Sequence, residues 1–139
     1  MMTDTTLLQL TYISSICPDV SEQQIALIHQ QAEKNNARLQ ITGLLLLTDR
    51  YFMQLLEGES TIVKTQFAKI AKDKRHQQVR LVSERWVQQR QFPDWHMGLK
   101  RVLDKDEHQD LAAIINLYGQ QQQFSTQHAD AISMLFRSI

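Results

Sequence analysis

The amino-acid sequence predicts an α+β fold: one β-sheet with two helices on one face and two further helices, from the C-terminal tail, on the other. Three observations carry this reading. Segments of strand and helix type follow in the order strand, helix, strand, strand, helix, strand, strand. Two amphipathic stripes come after them, separated by a polar run. The chain of 139 residues is long enough for one domain with its own core.

The first strand is predicted at 7–13, with Pro18 ending the segment after it. Ser21-Glu22-Gln23-Gln24 opens a helix as a capping box, because the Gln side chain can reach back to the cap. Ile25, Ile28 and Ala32 then share one helical face, and Asn35-Asn36 is read as the helix end. Strands follow at 40–48 and 51–57, joined by a tight turn at Asp49-Arg50. A second helix is expected at 61–73, with Val63, Phe67 and Ile70 at helical spacing. The fourth strand is placed at 79–87, a loop at 88–94 and a fifth strand at 95–101. The first six elements are the split βαβ arrangement of ferredoxin-like sheets, βαββαβ, in which both helices lie on one face. The tail then supplies a cover for the free face. Leu111, Ile114, Ile115 and Tyr118 form one stripe, and Ala129, Ile132, Phe136 and Ile139 a second, with Gly119 and the Gln120–Gln123 run between them. The division expected is a sheet domain over 1–103 and a helical extension over 104–139, packed on the sheet.

Several function classes are excluded at this level. Lys+Arg and Asp+Glu balance at 15 each, so the chain lacks the basic footprint of a nucleic-acid binder. The apolar run around Leu44–Leu47 is too short to span a bilayer, and the start MMTDTT is not a signal peptide. Cys17 is the only cysteine; with no intramolecular disulfide to form, a cytoplasmic location is expected. The five histidines show no metal-ligand spacing, and neither a Gly-rich phosphate loop nor a nucleophile elbow is present.

What remains unusual is Gln54, inside the apolar strand YFMQLLEG. Strand alternation puts its amide on one face with Phe52 and Leu56. An unpaired buried polar group costs about 1–3 kcal/mol, so something must pair it. Tyr12, on a face with Leu8 and Leu10, poses the same question one strand away, and a ferredoxin-like sheet sets these two strands side by side. Taken singly, each residue has an ordinary explanation: a paired core tyrosine at Tyr12, a helix cap at Asn36, core packing at Trp95 and Met97, and a charged helix end at Asp73, Arg75 and His76.

Together these segments resemble one family. LTYIS around Tyr12, NNARLQITGLLL from Asn35, YFMQLLEG around Gln54, DKRH from Asp73 and RQFPDWHMG from Arg90 occur in the order and with the spacing of BLUF domains, the flavin-binding blue-light sensors. The likeness runs from Leu7 to Arg101 and leaves the tail outside. It implies a flavin, FAD with FMN as the alternative, held edge-on between the two helices by Tyr12, Asn35, Asn36, Gln54, Asp73, Arg75 and His76. It implies a photoactive switch of Tyr12, Gln54, Trp95 and Met97, in which Tyr12 donates an electron and a proton to the excited flavin and the Gln54 amide is rearranged. That is sensing, not enzymatic turnover. The partners expected are flavin, a downstream regulatory protein and further copies of the chain, with neither nucleic acid nor membrane. The rival readings are a ferredoxin-like interaction module without flavin, whose Gln54 and Tyr12 pair only with protein, and a small acyl-phosphate hydrolase, which the lack of an anion loop disfavours.

Overall fold

The computed structural model describes residues 6–101 and 109–138. Its five-stranded sheet has the order β4-β1-β3-β2-β5, built from β1 (Leu7–Ile16), β2 (Thr42–Leu47), β3 (Tyr51–Gly58), β4 (His76–Val87) and β5 (Gly98–Arg101). β1 pairs antiparallel with β3 and β4, β2 antiparallel with β3, and β5 parallel with β2. The arrangement is the ferredoxin-like one with a fifth strand added beyond β2.

Strand alternation divides the core cleanly. Leu8, Leu10 and Tyr12 of β1, Leu45 and Leu47 of β2, and Phe52 and Leu56 of β3 pack with Ile25, Ile28 and Val63 from α1 (Glu22–Leu39) and α2 (Ser60–Lys72). The residues between them, Ile13, Leu44, Leu46, Met53 and Leu55, pack on the other face. There they meet Ala112 and Ile115 of α3 (Gln109–Gly119), and Ala129, Ile132 and Phe136 of α4 (Thr126–Arg137). Ile114, placed by periodicity in the inward stripe, is 40% exposed, because Ala112 and Gly119 take the inward line with Ile115. Ile139 and the 103/104 boundary lie outside the described residues. Buried Arg80 ties the tail to β4: its Nη1 donates to the Gly119 carbonyl at 2.7 Å and also to the Gln121 carbonyl.

Two element ends differ from the sequence reading, each for a local reason. α1 runs past Asn35-Asn36 to Leu39, and Gln40, taken as strand, is its left-handed cap at φ 56°. Asn36 looked like a cap but points inward, so its side chain is used elsewhere. The fifth strand starts at Gly98 and not at Trp95. Residues 92–95 form a turn closed by Trp95 N–H on the Phe92 carbonyl at 3.3 Å, and the Trp95 carbonyl accepts from Gly43 N–H of β2 at 3.0 Å. Elsewhere the reading was short by a few residues: β1 continues to Ile16, and β4 begins at His76. The α1 capping box is present, with Ser21 Oγ accepting from Gln24 N–H and Gln24 Oε1 from Ser21 N–H. Thr48 makes the β2–β3 turn, its Oγ1 accepting from Arg50 N–H and Tyr51 N–H at 3.2 and 3.1 Å. No described helix is long and apolar enough to cross a membrane.

Candidate functional site

Between α1 and α2, above the sheet, lies a cleft of about 200 Å³. The sheet provides its floor: Tyr12 from β1, Leu45 from β2, Gln54 and Leu56 from β3. The helices provide its walls, and the start of β4 closes one end. The seven residues expected to hold a cofactor, Tyr12, Asn35, Asn36, Gln54, Asp73, Arg75 and His76, all line it. Gln31, Arg38, Gln66 and Lys69 complete the rim; nothing in the sequence pattern singled these out, since each reads as a solvated helix position.

Tyr12 and Gln54 are directly opposite each other in the β1–β3 ladder. The Tyr12 hydroxyl donates to Gln54 Oε1, and Gln54 Nε2 donates to the Met97 sulfur at 3.0 Å. A thioether is a weak acceptor, and a primary amide has two N–H donors and two lone pairs. The protein therefore meets about half of the amide's capacity, and one of those partners is poor. On its other side β1 pairs irregularly with β4, the register slipping between Thr11 and Tyr12; such bulges re-aim side chains beside functional sites.

Burial, reinforced by the negative charge of Asp73, raises the Tyr12 phenol well above its usual range, so the hydroxyl keeps its proton. Burial also lowers the His76 ring to about 4; Asp73 opposes that shift and Arg75 adds to it. His76 is thus neutral near pH 7, with its Nδ1 2.8 Å from Ser14 Oγ and its ring against Phe52 and Tyr12. Asp73 closes α2 and grips Arg75, whose Nη2 lies 2.6 Å from Oδ2; these hydrogen bonds lower the Asp73 carboxyl to about 2. Arg75 Nη2 also reaches Gln31 Oε1 on α1 at 3.2 Å, linking the two walls across the mouth. Asn36, 1% exposed, donates through Nδ2 to the His96 carbonyl at 2.9 Å, while its buried Oδ1 has no protein partner.

The model of the family described as sensors of blue-light using FAD matches residues 7–98. The chain belongs to this BLUF family. Over 93 residues it is 38% identical to the photoactivated adenylate cyclase subunit beta of Euglena longa, a match that takes in 66% of this chain and 11% of that protein. The chain therefore spans about a tenth of the length of the curated relatives it matches. Among solved structures it resembles the BLUF protein BlrB in its dark state, with a TM-score of 0.78 and 25% identity over 95% of this chain and 96% of that one. It also resembles a bacterial light-regulated adenylyl cyclase, with a TM-score of 0.72 and 29% identity over 92% of this chain and 36% of that one.

Within this BLUF chain, Trp95 and Met97 do not share a face. Strand alternation would have put them together, but neither lies in a strand. Met97 is 2% exposed and packs on the cleft side with Gln54, whereas Trp95 is 47% exposed and stacks on Phe92, which belongs to the core of the opposite face. A second polar centre was not foreseen. Glu57, fully buried at the end of β3, accepts from Thr42 Oγ1, Gln9 Nε2 and the backbone N–H groups of Gln91 and Phe92 at 2.7–3.3 Å. Arg90 adds bonds to Thr42 Oγ1, the Glu57 carbonyl and the Gln40 carbonyl at 2.7–2.9 Å. Together these fix the 88–94 loop that leads to Met97. No group of three or more His, Cys, Asp or Glu among the described residues could hold a metal.

Proposed function

We propose that this chain is a blue-light photoreceptor in which a Tyr12–Gln54 hydrogen-bond switch, set against a non-covalently bound flavin, passes a structural signal to a separate regulatory protein. The observation that carries it is the direct cross-strand pair of Tyr12 and Gln54 on the floor of a cleft, with the amide only half satisfied by protein. The residues present fit the flavin. Asn36 Oδ1 is a buried acceptor lacking a donor, and the edge of an isoalloxazine presents an N–H flanked by carbonyls. Leu45 and Leu56 offer apolar contact for a flat ring system. Arg38 and Lys69 supply positive charge at the rim, which suits the phosphate of either FMN or FAD, while the charge of Arg75 is met by Asp73.

Bound flavin supplies blue-light absorption and, when excited, an acceptor for an electron and a proton. Tyr12 supplies both. Its raised pKa keeps the phenol protonated, and its O–H already points at Gln54 Oε1, so the proton has a path. Gln54 answers by exchanging its ends. Oxygen and nitrogen ends of an amide are nearly alike in shape and opposite in polarity, so rotation or tautomerisation rewires the bonds without repacking the core. After the rewiring the Met97 sulfur no longer faces an N–H donor, and the change reaches the segment before β5. The Asp73–Arg75 pair and neutral His76 hold the end of the cleft through the cycle. The electron and the proton would then return to Tyr12, restoring its phenol, so that only the hydrogen bonds of Gln54 remain changed, which makes the device a sensor and not a catalyst. Association of the chain with further copies of itself and a cytoplasmic setting belong to the same proposal.

Absorption spectra taken dark and after blue light test it. Purified protein is expected to carry oxidised flavin and to shift reversibly to longer wavelength. Tyr12→Phe and Gln54→Leu are expected to keep flavin, because Asn36, Arg75 and His76 remain, and to lose the shift. A protein that takes up no added flavin refutes the photoreceptor, and a variant that switches normally refutes the roles assigned to the pair.

A further inference from the structure

Met97 is the residue through which Gln54 touches the segment entering β5, and its backbone is held by side chains of α1. β5 begins only at Gly98, so the carbonyls of His96 and Met97 fall outside the strand. Both are taken up by α1 side chains. Asn36 Nδ2 donates to the His96 carbonyl and His29 Nε2 to the Met97 carbonyl, each at 2.9 Å. His29 and Asn36 are two turns apart and so lie on one helical face. A carbonyl oxygen can only accept, so the His29 Nε2 carries a hydrogen. The same nitrogen stands 3.6 Å from Glu33 Oε1, one turn further along α1. Met97 is therefore gripped at both ends, its carbonyl by His29 and its sulfur by Gln54.

We propose that His29 is a positioning residue of the light switch: through its hydrogen bond to the Met97 carbonyl it anchors the backbone from which Met97 presents its sulfur to Gln54, and so sets the rate of return to the dark arrangement. This rests on the photoreceptor reading above. When the amide rearranges, the sulfur loses its donor and the side chain is free to leave. The anchored carbonyl keeps the chain where the thioether can re-enter. Without the anchor the inward position must be found by a looser segment. His29 does not line the cleft and belongs to neither apolar cluster; its side chain is 21% exposed, so exchanging it leaves the proposed flavin contacts in place, and the melting temperature reports any change in packing.

The test uses the full flavin-loaded chain and four proteins: wild type, His29→Leu, His29→Gln and Glu33→Gln. Gln can place a side-chain N–H where the imidazole had one; Leu cannot. The readouts are flavin occupancy, melting temperature, red-shift amplitude and the rate of dark recovery. His29→Leu is expected to keep the first three near wild type and to recover about fivefold more slowly, the loss of about 1 kcal/mol at 1.36 kcal/mol per factor of ten in rate. His29→Gln should restore recovery to within about twofold, and Glu33→Gln should leave it unchanged. Wild-type recovery in His29→Leu, faster recovery, or equal slowing in His29→Gln overturns the role of the hydrogen bond. Slowing reproduced by Glu33→Gln assigns the effect to the ion pair and overturns it too. A wild type that does not photoswitch refutes the photoreceptor reading itself, an outcome separate from these.

Discussion

Replacing Glu57 by Gln should destabilise the protein by about 2 kcal/mol, although the change removes no volume and leaves a hydrogen-bonding side chain in place. The reasoning is geometric. Oε1 accepts from Gln9 Nε2 and Gln91 N–H, and Oε2 from Thr42 Oγ1 and Phe92 N–H. An amide has one oxygen, so two of these donors must face an NH₂ group whichever way the side chain turns. With nitrogen at the Oε2 position, the Thr42 hydroxyl can rotate and accept, but the buried Phe92 N–H cannot. With nitrogen at the Oε1 position, Gln9 can turn its own amide, but Gln91 N–H cannot. One backbone donor is stranded in each case, at about 1–3 kcal/mol. The cheaper arrangement strands Gln91, which is only partly buried, so its share is near 1 kcal/mol. Exchanging an ionised acceptor for a neutral one at the remaining bonds adds a further loss of about 1 kcal/mol. Urea denaturation measures the total: with a slope of about 1–3 kcal/mol per molar, the midpoint should fall by roughly 1 M. A midpoint unchanged within about 0.2 M, with unaltered slope, would refute the argument, because the four donors would then have no need of a carboxylate.

Two further outcomes follow from the same structure. His76 titrates near 4 when folded and near 6.5 when not. On acidification the unfolded chain therefore binds the proton first, and stability is full above about pH 6.5 and falls towards pH 4, by about 2 kcal/mol at pH 5. Asp73, lowered to about 2, contributes stability that is lost only below the ordinary carboxylate range, which leaves pH 5–7 to the histidine. His76→Gln should show a flatter profile in that window; an unchanged slope in urea midpoint against pH would refute the assignment. Gly119→Ala sets two effects of opposite sign against each other. Helix propensity favours Ala by less than the interior value of about 1 kcal/mol, because Gly119 is the last residue of α3, but the added Cβ would stand 2.3 Å from Tyr51 Cζ, and overpacking costs about 1–3 kcal/mol. A lower melting temperature is expected, and a higher one would show that Tyr51 yields freely.

The elements and the facing positions of Tyr12 and Gln54 are legible because they obey short-range periodicities. Period two in β1 and β3 put Tyr12 and Gln54 on a common face with Leu10 and Leu56, and a polar group in such a place raises its own question. The errors fall where side chains do long-range work. Taken locally, Asn36 has the look of a helix cap, which asparagine often is; its use on the His96 carbonyl, distant in the chain, cannot be seen there. Trp95 and Met97 were put on one face by alternation, and the turn at 92–95 removes the strand that alternation requires. Glu57 sits before a Gly-Glu break and reads as an ordinary strand-end charge. Its donors come from residues 9, 42, 91 and 92, and no window of sequence contains them together. His29 is similar: a lone histidine on a helix carries no signal until the chain brings Met97 back beside it.

The alternation that divides the core also makes β3 a shared partition. Gln54 faces the cleft, and its immediate neighbours Met53 and Leu55 face the tail helices, in one cluster with Ile115, Ile132 and Phe136. β1 repeats the arrangement, with Ile13 of that cluster next to Tyr12. The two compartments have no separate backbones. Any shift of the strand by a fraction of an ångström on the cleft side would displace the apolar neighbours by a similar amount in the opposite chamber, where close packing leaves little slack to absorb it. Under the proposed switch, motion on the cleft side would reach the tail side without any loop to relay it, because one strand serves both chambers.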